Sequence, residues 1–322
     1  PVPASSLYSN ASQALLILGR FDEAKKLLDQ WQQKGSLTPF QVMLRYRIAF
    51  FENNAATMEQ LARQAPGDDV VWLNLQKQLA FLRGNFSKLR SLSETLVMQQ
   101  RRANRMENAA FELAWHAWLE SYVGNYALAR KLCRQAGEAG NENALGLMLC
   151  AKALGDAGDV TQAEALAAKL DRLFPEDTLQ QKVYLPLIRS IIERKRGNAI
   201  KAMELLAPVT QYEQGCWRIP YYHAQAYLAA GEYTKAAAEF EKLIDHRGWP
   251  EWELFAPLAQ LGLARAYAMQ GDRENSRKAY DDFFTTWKDA DPDIPILRQA
   301  KAEYKKLTAT ASAAASASVK KQ

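Results

Sequence analysis

Small and apolar positions recur along this chain in a single register. The segments LGRFDEAKKLL near residue 18, VGNYALARKLC near 123, AGDVTQAEALA near 157, RGNAIKAMELL near 196, AGEYTKAAAEF near 230 and QGDRENSRKAY near 270 each hold a Gly, a short polar turn and a small residue five positions after the Gly. The anchors fall at Gly19, Asn53, Gly84, Gly124, Gly158, Gly197, Gly231 and Gly271, with spacings of 34, 31, 40, 34, 39, 34 and 40. A period near 34 with helical apolar spacing on both sides of each anchor predicts an array of helix-turn-helix units. Gly, or Asn at residue 53, suits the end of the first helix because it accepts a left-handed backbone.

The register also predicts how the two helices of a unit meet. Five residues after the anchor stand Ala24, Ala129, Ala163, Ala202, Ala236 and Ser276, and seven before it stand Ser12, Ala117, Ala151, Ser190, Ala224 and Ala264. Small residues at both places let one helix lie close on the other. Leu28, Cys133, Leu206, Phe240 and Tyr280, nine after the anchor, have core size. Phe21, Phe86, Tyr126 and Tyr233, two after it, are placed to fill the gap between neighbouring pairs.

This pattern resembles the tetratricopeptide repeat. The resemblance implies an all-α fold, a right-handed superhelical solenoid of about eight units over roughly residues 5 to 285. Two units depart from it. Met58 and Leu89 replace the small residue of the second helix, and Tyr46 and Lys77 that of the first, so residues 37–100 form a degenerate stretch. The array is expected to occupy residues 1–290, followed by a capping helix at 291–307. Asp291-Pro292-Asp293 interrupts the preceding helix, Asp293 is a candidate cap and Pro295 is tolerated in a first turn. Leu297, Ala300, Tyr304 and Leu307 then recur at helical spacing, which suits a helix that closes the last unit. The Ala/Ser-rich residues 308–322 are expected to be disordered.

A narrower resemblance lies in FPEDTLQQKVYLPLIRS and in the run from DHRGWPEWELF to ADPDIPILRQAKAEYKKL. These look like the C-terminal repeat region of bacterial modular signalling proteins, in which a serine/threonine protein kinase domain most often precedes the repeats. In relatives a winged-helix DNA-binding domain or a cyclase stands there instead. The resemblance implies a non-catalytic, sensory-regulatory interaction region. Alternatives are an inducer-sensing region of a winged-helix transcriptional regulator and a standalone scaffold. The chain begins at Pro1, not at Met, so it is expected to be a piece of a longer protein. The expected compartment is the cytoplasm, or an extracytoplasmic one if a membrane span precedes the repeats.

Composition adds mainly exclusions. Of 322 residues 48% are apolar, enough for a core, and 41 basic against 36 acidic residues give a net charge of +5. That surplus is too dilute to imply nucleic-acid binding. The basic clusters Arg101-Arg102 with Arg105, and Arg194-Lys195-Arg196, sit where cations favour the negative end of a helix. No run of 18 apolar residues implies a membrane span. Cys133, Cys150 and Cys216 are scattered and make no disulfide framework. His116, His223 and His246 approach neither one another nor a cysteine at metal-ligand spacing. Kinase-core, nucleophile-elbow and phosphate-loop motifs are absent from these residues. No catalytic residue, metal or cofactor is expected within the chain.

The tetratricopeptide resemblance implies a concave groove lined by the first helices, with exposed positions two, three, six, ten and thirteen residues before each anchor. Carried onto this chain, those positions give Arg47, Phe50, Gln78, Phe81, Trp118, Lys152, Arg194, Tyr221, Gln225 and Arg265 as candidates. Basic and amide side chains interleaved with aromatics would suit a protein or peptide partner carrying acidic and apolar side chains. The competing expectation is that so long an array fills part of its own groove. The Lys/Asn/Arg set of a chaperone-tail carboxylate clamp is absent.

Overall fold

The computed structural model describes residues 4–319 apart from 36, 66, 141, 214, 215, 217, 247, 250 and 251, and side chains within that range for residues 6–309. Among these residues there are seventeen α-helices and no strand. Eight pairs follow one another: α1 (Ala4–Ile17) with α2 (Phe21–Gln32), α3 (Pro39–Phe51) with α4 (Ala55–Gln64), α5 (Val70–Leu82) with α6 (Phe86–Arg102), and α7 (Met106–Tyr122) with α8 (Tyr126–Glu138). The second half continues with α9 (Ala144–Asp156) and α10 (Val160–Leu173), α11 (Leu185–Lys195) and α12 (Ala199–Leu206), α13 (Ile219–Ala230) and α14 (Tyr233–Asp245), then α15 (Trp252–Gln270) and α16 (Arg273–Thr286). A single helix, α17 (Pro295–Val319), follows. This is the all-α repeat array that the 34-residue period predicts.

All eight anchors take positive φ, Asn53 at 55° and the glycines between 69° and 86°. The turn therefore has the same left-handed hinge in every unit, including the degenerate ones. The small positions on both helices are buried, with Ala24, Ala129, Ala163, Ala202, Ala236 and Ser276 at 0% exposure. Ser190 and Ser276 also bond across the crossing, whereas the buried Ser12 hydroxyl has no hydrogen-bond partner among the described residues. Ser190 Oγ donates to the Ala202 carbonyl at 3.0 Å, and Ser276 Oγ to the Ala264 carbonyl at 2.8 Å.

Unit 3 solves the same crossing differently. Lys77 is fully buried, and its Nζ donates to Glu112 Oε2 of α7 at 2.7 Å. Its ammonium also lies 5.7 Å from the centre of the Trp115 ring. Unit 2 places half-buried Tyr46 edge-on against Trp72 at 5.3 Å.

The array closes on itself. The 19-residue α15 is the longest of the first helices, and it packs against α5. Trp252 meets Phe51 at 6.0 Å and Phe50 at 6.4 Å, while Phe255 meets Trp118, Tyr122 and Tyr221 at 6.1, 5.9 and 5.3 Å. The loop before α15 comes so near α1 that a Cβ on Gly248 would lie 1.9 Å from the Leu16 carbonyl oxygen.

A second seam runs from residue 287 to 296. The Asp291 N–H donates to the Gly84 carbonyl, and the Asp291 carboxylate accepts from Ser87 N–H at 2.6 Å and Ser87 Oγ at 2.9 Å. Asp291 thus supplies an acceptor for the first turn of α6, joining Asn85, which accepts from Lys88 N–H. Gly84 is needed here for two reasons, its left-handed φ and the approach of Ala290, whose Cβ would stand 2.5 Å from a side-chain carbon at 84. The Ile296 N–H donates to the Val123 carbonyl at 3.1 Å.

At the C-terminus the capping bond of Asp291 serves α6, and α17 runs from Pro295 to Val319. The buried part of α17 is its start, with Leu297 and Ala300 at 2% and 0% exposure, and Tyr304 packed on Phe284 at 5.4 Å. Residues 320–322 lie outside the described residues.

Candidate functional site

Six of the ten candidate residues are engaged in packing, and three of these, Arg47, Phe50 and Trp118, meet the first half of α15 through Glu253, Trp252 and Phe255. Arg47 donates to Gln78 Oε1 at 2.9 Å and to Glu253 Oε2 at 3.0 Å, and Glu253 is 1% exposed. Phe50 packs on Trp252, and Phe81 is buried against Phe86 at 5.4 Å. Trp118 and Lys152 are fully buried, with Lys152 Nζ 4.7 Å from the Trp118 ring centre and 5.3 Å from that of Tyr222. Phe81, Trp118 and Lys152 therefore pack the interior and are not the open groove positions the repeat pattern implies. For Trp118 the physical reason is α15, whose Phe255 stands 6.1 Å away in the space that an open array leaves to a ligand; Phe81 is covered by Phe86 of its own unit, and Lys152 by the Trp118 and Tyr222 rings.

The other four line what remains of the groove. Arg194, Tyr221, Gln225 and Arg265 border a cavity of about 270 Å³ between units 4 to 8 and the start of α17. Tyr126, Asp156 and Lys195 complete its polar wall, and Leu228, Leu258 and Leu261 its apolar one. The first helices bring these residues together: Asp156 and Arg194 stand at the C-terminal ends of α9 and α11, Tyr221 in the first turn of α13 with Gln225 one turn on, and Arg265 in the second half of α15.

Most of the charge in the cavity is already matched. Arg194 donates to Asp156 Oδ1 at 2.8 Å and Gln225 Oε1 at 3.0 Å. Arg265 forms a two-pronged pair with Glu303 of α17 at 2.9 and 3.2 Å, and Tyr280 donates to the same carboxylate at 2.9 Å. Lys195 has no ion pair among the described residues, and its Nζ lies 5.4 Å from the centre of the Tyr126 ring. Desolvation, helped by the Arg194 charge, lowers the Lys195 pKa against the pull of Asp156. Burial pushes the Tyr126 and Tyr221 phenols up, so both stay protonated donors. The wall can thus hold a carboxylate or an amide beside an aliphatic side chain.

Among the described residues no group of three metal-ligating side chains is found, and no helix is long and apolar enough to cross a membrane. All three cysteines are buried, and Cys133 is raised far above a thiol's usual value by its bond with Cys150 and by burial, the opposite of an activated nucleophile. Sequence reasoning missed Asp156, Glu253 and Glu303, the acids that pair with Arg194, Arg47 and Arg265. A usable signal was the start of α15, where Trp252, Leu254, Phe255 and Leu258 leave little room for a polar face.

Comparison with protein families agrees with this architecture. Residues 139–250, which hold units 5 to 7, match the family model described as the protein kinase G tetratricopeptide repeat. Residues 257–275, around the hinge of unit 8, match a tetratricopeptide-repeat model. No curated protein matches the chain. Residues 139–250 and 257–275 are therefore tetratricopeptide-repeat segments, of a kind that serves protein interaction, and residues 139–250 resemble the repeat region of protein kinase G.

Proposed function

We propose that this region is the docking and regulatory part of a bacterial serine/threonine protein kinase, and that it holds a segment of a protein partner in the cavity bordered by Arg194, Tyr221, Gln225 and Arg265. The observation that carries the docking reading is the cavity itself, the part of the inner face that α15 leaves open, with Lys195 available at its wall. An acidic side chain would sit against Lys195 and Arg194, and an aliphatic one against Leu228, Leu258 and Leu261. Holding a partner there would raise its effective concentration near a linked catalytic module. The kinase assignment draws on the match of units 5 to 7 to a kinase repeat family.

Two readouts test these halves separately. The coding sequence upstream of Pro1 should run into a kinase frame; a winged helix in that place overturns the kinase assignment. Phage display of short acidic-aliphatic peptides should enrich binders on the wild type that are lost with Lys195→Glu. Binders that hold both proteins equally would remove the cavity from the account.

A further inference from the structure

The second helices form a surface of their own, and one groove in it differs from its neighbours. Between α6 and α8, floored by α7, lies a cavity of about 440 Å³. On α7, Leu113 and His116 point into it, on the side of the helix opposite Trp118 and Tyr122, which face α15. The groove is therefore separate from the inner cavity. Its apolar lining is Val97, Leu113, Leu128 and Leu132, with Met98 at the edge and 49% exposed. Ser93 also lines it, buried, with a hydroxyl that has no hydrogen-bond partner among the described residues.

Charge sets this groove apart. In the corresponding groove of α10, α11 and α12 every lining cation is neutralised: Arg189 by Asp171, Arg196 by Glu164 and Glu193, and Lys201 by Glu193. In the α6–α8 groove Arg90 is engaged by the buried Glu120. Arg101 and Lys131 stand exposed on opposite walls with no ion pair among the described residues, against a single lining acid, Glu94. The rim is left positive around an apolar floor. Lining residues on α6 run from Arg90 to Arg101, a length of about 16 Å at the helical rise, so the groove is elongated. That length corresponds to about three helical turns of a ligand, and a flexible thioether at the edge suits an adaptable apolar contact.

We infer that the α6–α8 groove is a second docking site, and that its occupant is an acidic amphipathic helix of a separate protein. Apolar side chains at three- and four-residue spacing would enter between Val97, Leu113 and Leu132. Carboxylates on the flanks of that helix would meet Arg101 on one wall and Lys131 on the other. A hydroxyl-accepting group at the floor would satisfy Ser93.

The test uses a fluorescent synthetic helix with leucines on one face and glutamates on the other, titrated into the whole chain by anisotropy. Saturable binding is expected, weakened about tenfold by Lys131→Glu and by Met98→Glu. Both substituted positions are exposed, so circular dichroism should show the fold intact. The same peptide with glutamine for glutamate should bind more weakly. Because the inner cavity is also expected to take acidic-aliphatic peptides, the titration is repeated in the Lys195→Glu background, where binding should persist and still weaken about tenfold on adding Lys131→Glu; this separates the site from the docking cavity proposed above. Absent binding in the Lys195→Glu background, or affinity equal to that of the unsubstituted groove in both the Lys131→Glu and Met98→Glu variants, would overturn the assignment.

Discussion

Units 3 and 6 use the same hinge and the same two crossing positions, yet they fill them with opposite chemistry. In unit 6 the crossing holds Ser190 and Ala202, and a hydroxyl-to-carbonyl bond joins two helices of one unit. In unit 3 it holds Lys77 and Leu89, both fully buried, and the bond made there reaches out of the unit to Glu112 on α7. The small residue is thus a means of bringing helices together within a unit, not a requirement of the fold. A long side chain is accommodated when the next unit supplies its counter-charge. Unit 3 gives up independence in exchange, since its core is complete only beside unit 4.

The sharpest way to break this comparison is to remove the counter-charge. Glu112→Ala leaves the Lys77 ammonium buried beside Trp115 without its carboxylate and should cost about 3–5 kcal/mol in urea unfolding. The double variant Lys77→Met with Glu112→Leu should return stability to the wild-type level or above it, because a well-packed apolar pair can replace a buried ion pair. A single-variant cost below about 1 kcal/mol would mean the pair does not hold units 3 and 4 together.

A regular unit should break in the other way, by crowding. Ala163→Leu inserts a branched side chain at a fully buried crossing, where Gly155 already lies close enough that a Cβ would be 3.8 Å from the Ala163 methyl. Overpacking of this kind should lower stability by about 1–3 kcal/mol, measured as a shift of the denaturant midpoint.

The smallest effect sharpens the picture at a titrating residue of a regular unit. His223 of α13 is 7% exposed, and burial depresses its pKa below that of free histidine. A depressed folded pKa means the neutral ring is preferred in the native state, so its contribution is complete above the unfolded pKa and is lost as pH falls through the folded one. Stability should therefore fall on acidification below about pH 6.5, the free-histidine value. His223→Asn should flatten that part of the profile without altering stability at pH 8 by the same amount.

The hinges, the helix pairs and the small crossing residues were legible because each concerns residues within one period. Gly158 with Ala151 and Ala163 states a complete local rule, and the structure obeys it. The closure was not legible for the same reason. Arg47 meets Glu253 across 206 positions, and Ser87 meets Asp291 across 204. A 34-residue period describes how a unit lies on its neighbour and carries no information about which distant units meet after several turns. The candidate site inherited that blindness: Arg194 and Arg265 both border the remaining cavity, while the acids that engage them, Asp156 and Glu303, lie one unit or one helix away.

The contacts of Trp252 with Phe50 and Phe51, and of the loop at Gly248 with α1, bear on how this array comes apart. An open solenoid behaves as a line of coupled units whose ends fray first, so partly melted forms populate before the middle yields. Here the first two units are held against the eighth, and a terminal unit cannot peel away without also uncovering the interior of the other end. Unfolding then approaches a single concerted event. The same long-range seams must be found by diffusion during folding, which places this chain among slower folders than its local helix pairs alone would suggest.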